Sequence, residues 1–246
     1  MLPLLAPDAA LFLDIDGTLI EFEDRPEEVR IPPALLATID ALRQALGGAL
    51  AVVSGRNLAD IDRLFAPLVL AAGAQHGAEA RLTAGGKDQS FAAPQAALAS
   101  VADRLAAFLA AHSGIRVERK GLSTAFHYRN AVELGPALRD ELEKAVAPVA
   151  GALNLLDSHL CYDVRARDAD KGKAVERLMA VAPFAGRVPV YIGDDWTDED
   201  GFTAALAAQG RAIRVGTDRP TLATESVNNS AALRQWLDRS LTALRG

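Results

Sequence analysis

The chain has 246 residues, half of them apolar, with 26 basic and 32 acidic side chains and a formal charge of -6. That size accommodates one large domain or a domain with a second one inserted, and the acidic balance argues against a general nucleic-acid or anionic-lipid surface. One cysteine, Cys161, excludes an internal disulfide, and no apolar run reaches the roughly 20 residues a membrane-spanning helix needs.

The opening MLPLLAPDAALFLD lacks a basic segment and is interrupted by Pro3, Pro7 and Asp8, so no secretory leader is expected. A soluble, cytoplasmic, monomeric protein with no membrane or nucleic-acid partner is the expectation. The runs ALFLDIDG (10–17), ALAVVSGR (49–56) and LVLAAGAQHG (68–77) do not alternate, and each ends in a polar or glycine-rich turn. They predict strands of a parallel sheet covered on both faces. PPALLATIDALRQALGG (32–48) and LADIDRLFAPL (58–68) predict the connecting helices, the first with a proline start and a glycine stop.

From residue 88 to 166 the pattern changes. It predicts a long helix (95–111), strands IRVERKG (115–121) and STAFHYRN (123–130), a helix (135–149), and strands within ALNLLDSHLCYDVRAR (152–167). The parallel pattern then resumes with VPVYIGDD (188–195), an acid-led helix from TDEDGF, the strand RAIRVG (211–216) and a terminal helix over 230–243. The reading is an α/β protein: a Rossmann-like, doubly wound parallel core from residues 1–87 and 167–246, with an α+β unit inserted at 88–166.

Ligands of such sheets sit beyond the carboxyl ends of the strands, and the polar residues fall there: Asp14 and Asp16, Ser54, Asp194 and Asp195. Two carboxylates about 4 Å apart repel by roughly 4 kcal/mol at an effective dielectric near 20, so several together require a cation. An all-oxygen set without histidine suits a hard divalent ion, with magnesium the expectation, and this favours phosphoryl chemistry. ADKGKAVERL (169–178) puts Lys171 at a predicted helix start, where an ammonium and helix amides favour an anion. No Walker-type or dinucleotide-binding glycine motif is present.

DIDGTL, SGR, a Lys-Gly helix start and GDDWTDE, in that order, resemble the haloacid dehalogenase-like (HAD) phosphatase superfamily. The finer pattern, SGRNLADIDRLFAPL, QHGAEAR, FHYR, KGKAVERLM and APFAGRVPVYIGDDWTDEDGF, is similar to trehalose-phosphate phosphatases over about residues 10–210. The resemblance implies hydrolysis of trehalose 6-phosphate through an aspartyl-phosphate, with Mg2+ as cofactor. Asp14 would be the nucleophile and Asp16 the acid and base, its carbonyl touching the metal. Asp194 would complete the metal ligands, supported by Asp195 and Asp198. Ser54 and Lys171 would hold the phosphoryl oxygens, assisted by Thr18.

The inserted unit resembles the cap domain of that superfamily, where Lys120, His127 and Asp163 would bind the sugar together with Arg56 and His76 from the core. Strand alternation in AFHYRN and YDVRAR pairs His127 with Arg129, and Asp163 with Arg165 and Arg167, on polar faces. The chain departs from the family at Asp163 and Ala166, where glutamate and proline are usual, and at Ala74, where glycine is. Glu199 and Asp200 read as complements of a helix start, and His112, His159, Trp196 and Trp236 as packing residues. The rival readings are another capped sugar phosphatase, acting on sucrose phosphate or mannosyl phosphoglycerate, a mutase, and a catalytically silent sugar-phosphate sensor.

Overall fold

Unbroken apolar runs end up inside a sheet because both of their faces need covering. The computed structural model describes residues 2–21, 29–90, 95–119, 123–158, 160–167, 169–217 and 219–246, and of Ser158 the backbone alone. The chain starts with β1 (Ala9–Leu13), α1 (Pro33–Ala45), β2 (Leu50–Val53), α2 (Leu58–Phe65), β3 (Ala71–Ala74), β4 (Glu79–Arg81) and β5 (Asp88–Ser90). It continues through α3 (Gln95–Ala111), β6 (Arg116–Arg119), β7 (Ser123–His127), α4 (Gly135–Val146), β8 (Leu153–Ser158) and β9 (Cys161–Ala166). It closes with α5 (Lys171–Met179), β10 (Val188–Gly193), α6 (Asp198–Ala207), β11 (Arg211–Val215), β12 (Glu225–Val227) and α7 (Ser230–Arg245). Two units result, residues 1–89 with 170–246, and residues 90–169.

The first unit is built on an eight-stranded sheet ordered β12-β11-β10-β1-β2-β3-β4-β5. Its six central and outer strands run parallel, and β4 returns antiparallel to β3. Successive β1 side chains divide between the faces. Leu11 and Leu13 join Ile39 and Leu42 of α1, Phe65 of α2 and Trp236 of α7, while Ala10 and Phe12 join Val175 and Leu178 of α5 and Phe202 of α6. Fully burying one such large side chain contributes about 1.5–3 kcal/mol, so this two-sided core fixes where the strand ends lie.

Side-chain caps set the helix starts nearest those ends. Asn57 accepts from the Asp60 amide at 2.8 Å and opens α2; Asp170 accepts from the Lys173 amide at 2.7 Å and opens α5. The third strand is shorter than its sequence predicts, because Gln75, His76 and Gly77 have φ of 47°, 54° and 90°. Those left-handed residues turn the chain back into β4, a three-residue strand with no alternating signal of its own. A non-glycine residue held there costs of order 1–3 kcal/mol and persists only when its surroundings fix it. Here the Gln75 amide donates to the Arg56 carbonyl at 2.8 Å, the His76 amide to that of Ser54 at 3.1 Å, and Arg177 to that of Gly77 at 2.5 Å.

The second unit is an antiparallel sheet ordered β6-β7-β9-β8 with α3 and α4. Phe126, Tyr162 and Val164 face Leu105 of α3 and Leu138 and Leu142 of α4 in one core. The register pairs Ala125 with Asp163 and His127 with Cys161, so His127, Asp163 and Arg165 share the opposite face. Arg129 lies beyond the end of β7 and is exposed, and Arg167, past β9, donates to the Ala150 carbonyl at 2.7 Å. Strand alternation therefore reaches neither of them. Lys120 and His159, and with Lys120 the end of the strand expected over 115–121, lie outside the described residues.

Candidate active site

The sheet places β1 between β10 and β2, with Leu13 beside Ile192 on one side and Val52 on the other. The residue after β1, Asp14, therefore emerges where the order of strands reverses, and its amide donates to the Ile192 carbonyl at 3.0 Å. After Asp14 the chain must turn at once. Gly17, with φ of 81°, makes that turn and donates to the Ile20 carbonyl at 2.8 Å. α7 supports the turn from behind, where Ser230 donates to the Gly17 carbonyl at 3.2 Å.

Lys171, the first residue of α5, is 2 % exposed and reaches two carboxylates, Asp14 and Asp198, each at 2.7 Å. Oxygens of Asp14, Asp194 and Asp198 lie within 4.8 Å of one another. Burial lifts the Asp14 carboxyl well above the usual carboxylate range; the Lys171 ammonium opposes this and the Asp198 and Asp194 anions add to it. Burial also pushes Asp194 up to about 7, with Asp198 adding and Lys171 opposing. Lys171 is held above the ordinary ammonium range, since its two carboxylates outweigh the burial that would lower it. These directions are compatible: three acids around one ammonium carry surplus negative charge, which a proton or a cation must offset.

The members of the cluster are not equivalent. Asp198 accepts from Lys171 and from the Tyr191 hydroxyl at 2.8 Å through one oxygen, and from the Asp194 and Asp195 amides at 3.0 and 2.9 Å through the other. Those four bonds fill a carboxylate's acceptor capacity and fold the loop between β10 and α6 around it. Gly193 permits the fold, because a Cβ there would stand 2.2 Å from the Asp198 carboxyl carbon. Asp194 accepts from the buried Thr18 hydroxyl at 2.9 Å. Asp14 and Asp194 are thus the two members with coordinating capacity left among the described residues.

Other expected ligands stand outside this cluster. Asp16 is gripped by Arg56 through two bonds of 2.7 and 2.6 Å, and Asp195 accepts from the Trp196 amide at 2.6 Å. The pairing also commits Arg56, expected at the sugar, to an acid of the same site. Ser54 follows β2, is buried, and accepts from the Arg56 amide at 3.2 Å. His76 lies against Gly55, where an added Cβ would meet its ring nitrogen at 2.6 Å. In the second unit, His127 faces Glu118 at 2.9 Å.

Two contributors escaped sequence reasoning. Tyr191 sits in an apolar run, yet its buried hydroxyl needs a partner and finds Asp198; a tyrosine inside an aliphatic strand is the signal that was available. Glu199, read as a helix-start acid, pairs with Arg219 at 2.7 Å, a distant partner that no local spacing reveals.

A family model described as trehalose-phosphatase matches residues 12–235. The chain is 33% identical over 243 residues to the trehalose-6-phosphate phosphatase of Escherichia coli (strain K12), covering 99% of this chain and 90% of that protein. It is 38% identical over 226 residues to the probable trehalose-phosphate phosphatase of Sinorhizobium fredii (strain NBRC 101917 / NGR234), covering 92% and 84%. Among solved structures, the C-terminal domain of C. albicans trehalose-6-phosphate phosphatase aligns with a TM-score of 0.82 at 20% identity, over 95% of this chain and 92% of that one. That last likeness is one of fold.

Proposed function

The chain belongs to the trehalose-phosphatase family, and we infer that it hydrolyses trehalose 6-phosphate to trehalose and phosphate, a step of trehalose biosynthesis. The observation that carries the reading is a buried Asp14 at the sheet's reversal point, joined to Lys171 and grouped with Asp194 and Asp198.

In the proposed sequence, an oxygen of Asp14 bonds to phosphorus while the bond from phosphorus to the sugar oxygen breaks, and that oxygen takes a proton from Asp16. Water then attacks phosphorus, the bond to Asp14 breaks, and Asp16 takes the water's proton. Arg56 grips both Asp16 oxygens and orients the carboxylate that receives the water's proton. Lys171 fixes the nucleophile, and with Ser54 it is proposed to hold the phosphoryl oxygens. Sugar contacts are proposed for His76, Lys120, His127, Arg129 and Asp163.

The donor set fits a hard divalent cation: it is all oxygen, and burial together with the neighbouring Asp198 anion already raises Asp194. We assign magnesium, held through Asp14, Asp194 and the Asp16 carbonyl. When bound, it supplies charge neutralisation to the transferring phosphoryl group. Asp195 and Asp198 are proposed to act behind those ligands.

The raised Asp194 has a signed consequence. Its folded-state value of about 7 lies above the ordinary 3.8, so it favours the metal-free fold at low pH, and that contribution is lost as pH rises through about 7. A bound dication takes over the proton's role. The gain in melting temperature from saturating magnesium is therefore expected to be larger at pH 8 than at pH 5.5, and a chelator should abolish turnover. Equal gains at both pH values, or full turnover after exhaustive chelation, would count against the cation site.

The function itself is tested by phosphate release from a panel of sugar phosphates. kcat/KM for trehalose 6-phosphate is expected to exceed that for glucose 6-phosphate, sucrose 6-phosphate and mannosyl phosphoglycerate by about 100-fold or more, since a site built to hydrogen-bond hydroxyls discriminates strongly. A rate no better than that for glucose 6-phosphate would refute the assigned substrate.

A further inference from the structure

The loop carrying Asp194 is held from its far side by a second loop, the one between β11 and β12. Arg219 in that loop meets the acid loop at three points. Its Nη2 donates to the Asp194 carbonyl at 3.0 Å, its Nη1 to Glu199 at 2.7 Å, and its guanidinium lies over the Trp196 ring, 4.4 Å from the centroid. Glu199 closes the arrangement by accepting from the Leu222 amide at 2.8 Å. The Arg219 carbonyl in turn accepts from Arg214 of β11 at 2.5 Å, and Arg214 is 2 % exposed. The latch is thereby rooted in the sheet.

We propose that Arg219 is a positioning residue for the metal site, fixing the Asp194 peptide so that its carboxylate is preorganised for a divalent cation. The inference rests on the cation reading of the acid cluster. Asp194 is pinned at its amide by Asp198, at its side chain by Thr18 and at its carbonyl by Arg219. Removing the last of these leaves the peptide between Asp194 and Asp195 held from one side, where the Asp195 amide donates to Asp198 at 2.9 Å, and so loosens the placement of the Asp194 carboxylate beside Asp14. Because Glu199 neutralises the guanidinium at 2.7 Å, the latch restrains the loop without setting an unbalanced positive charge beside the cation. Groups that orient a metal ligand from behind commonly change metal affinity by about 10- to 100-fold when removed.

Arg219→Ala is therefore expected to raise the Mg2+ dissociation constant, measured by titration calorimetry without substrate, by about tenfold or more. Turnover lost at limiting magnesium should return as magnesium is raised, and Arg219→Lys, which keeps one donor, should fall between parent and alanine variant. Should Arg219→Ala fail to fold, Arg219→Lys and Glu199→Gln carry the test, each with a weakened affinity in the same direction. Parent-like affinity in the folded variants overturns the inference, as does a loss of turnover that magnesium does not restore. Failure of the parent protein itself to bind Mg2+ instead overturns the cation reading on which the inference rests.

Discussion

Asp14→Asn is expected to lower turnover by roughly 10⁴-fold or more, as removal of a nucleophile does when the rest of a site is intact. The amide has nearly the volume of the carboxyl it replaces, and it removes one of three clustered anions at a position 4 % exposed. Lys171 retains Asp198 at 2.7 Å, so no buried charge is stranded. The variant should fold normally, with a melting temperature equal to or above that of the parent in the absence of metal. Phosphate release together with circular dichroism checks both parts. Substantial activity in a folded Asp14→Asn protein would remove the nucleophile from the mechanism.

Lys171→Met is expected to act on stability as well as on rate. The ammonium is 2 % exposed and is the buried cation that bonds both Asp14 and Asp198. Breaking a buried ion pair by removing one partner costs about 3–5 kcal/mol, because the remaining charges are left without compensation. Denaturant unfolding should show a loss of that size, and activity should vanish. Adding Asp14→Asn should restore part of the stability and none of the activity, since it removes one of the stranded anions; this non-additivity identifies the pair rather than the helix as the cause. A single Lys171→Met variant within about 1 kcal/mol of the parent would contradict the assignment of Lys171 as the counterion of the nucleophile.

Much of this was legible in the sequence for physical reasons. Strands buried on both faces leave unalternating apolar runs, which is why β1, β2 and β10 could be read, and α3 occupies Gln95–Ala111, the span expected of the long helix. Asp14, Asp194 and Lys171 stand out because each directly follows a strand or opens a helix, positions where polar groups converge. The edge strands were not legible. β5 is three exposed residues and β12 is also three residues long, so neither carries a burial pattern to read.

The division of labour among the acids was hidden for a different reason. Asp195 and Asp198 look alike in GDDWTDED, but the start of α6 and the missing side chain at Gly193 turn Asp198 inward onto Lys171 and Tyr191. Arg56 and Glu199 likewise took partners, Asp16 and Arg219, that only the tertiary fold supplies. Charge-pair identity depends on long-range geometry, and a one-dimensional pattern shows that a charge is present without showing which group receives it.

The separation of Lys171 from Asp14 by 157 positions bears on the protein's birth. During vectorial synthesis at about 5–20 residues per second, Asp14 leaves the ribosome roughly 8–30 s before Lys171, with the whole inserted unit made in between. The second unit completes its own contacts early and can fold while the sheet of the first still lacks β10, and the nascent amino-terminal strands wait without their central neighbour. Chaperone occupancy on ribosome-bound chains is therefore expected to concentrate on residues 9–74, the stretch from β1 to β3, until α5 and β10 emerge.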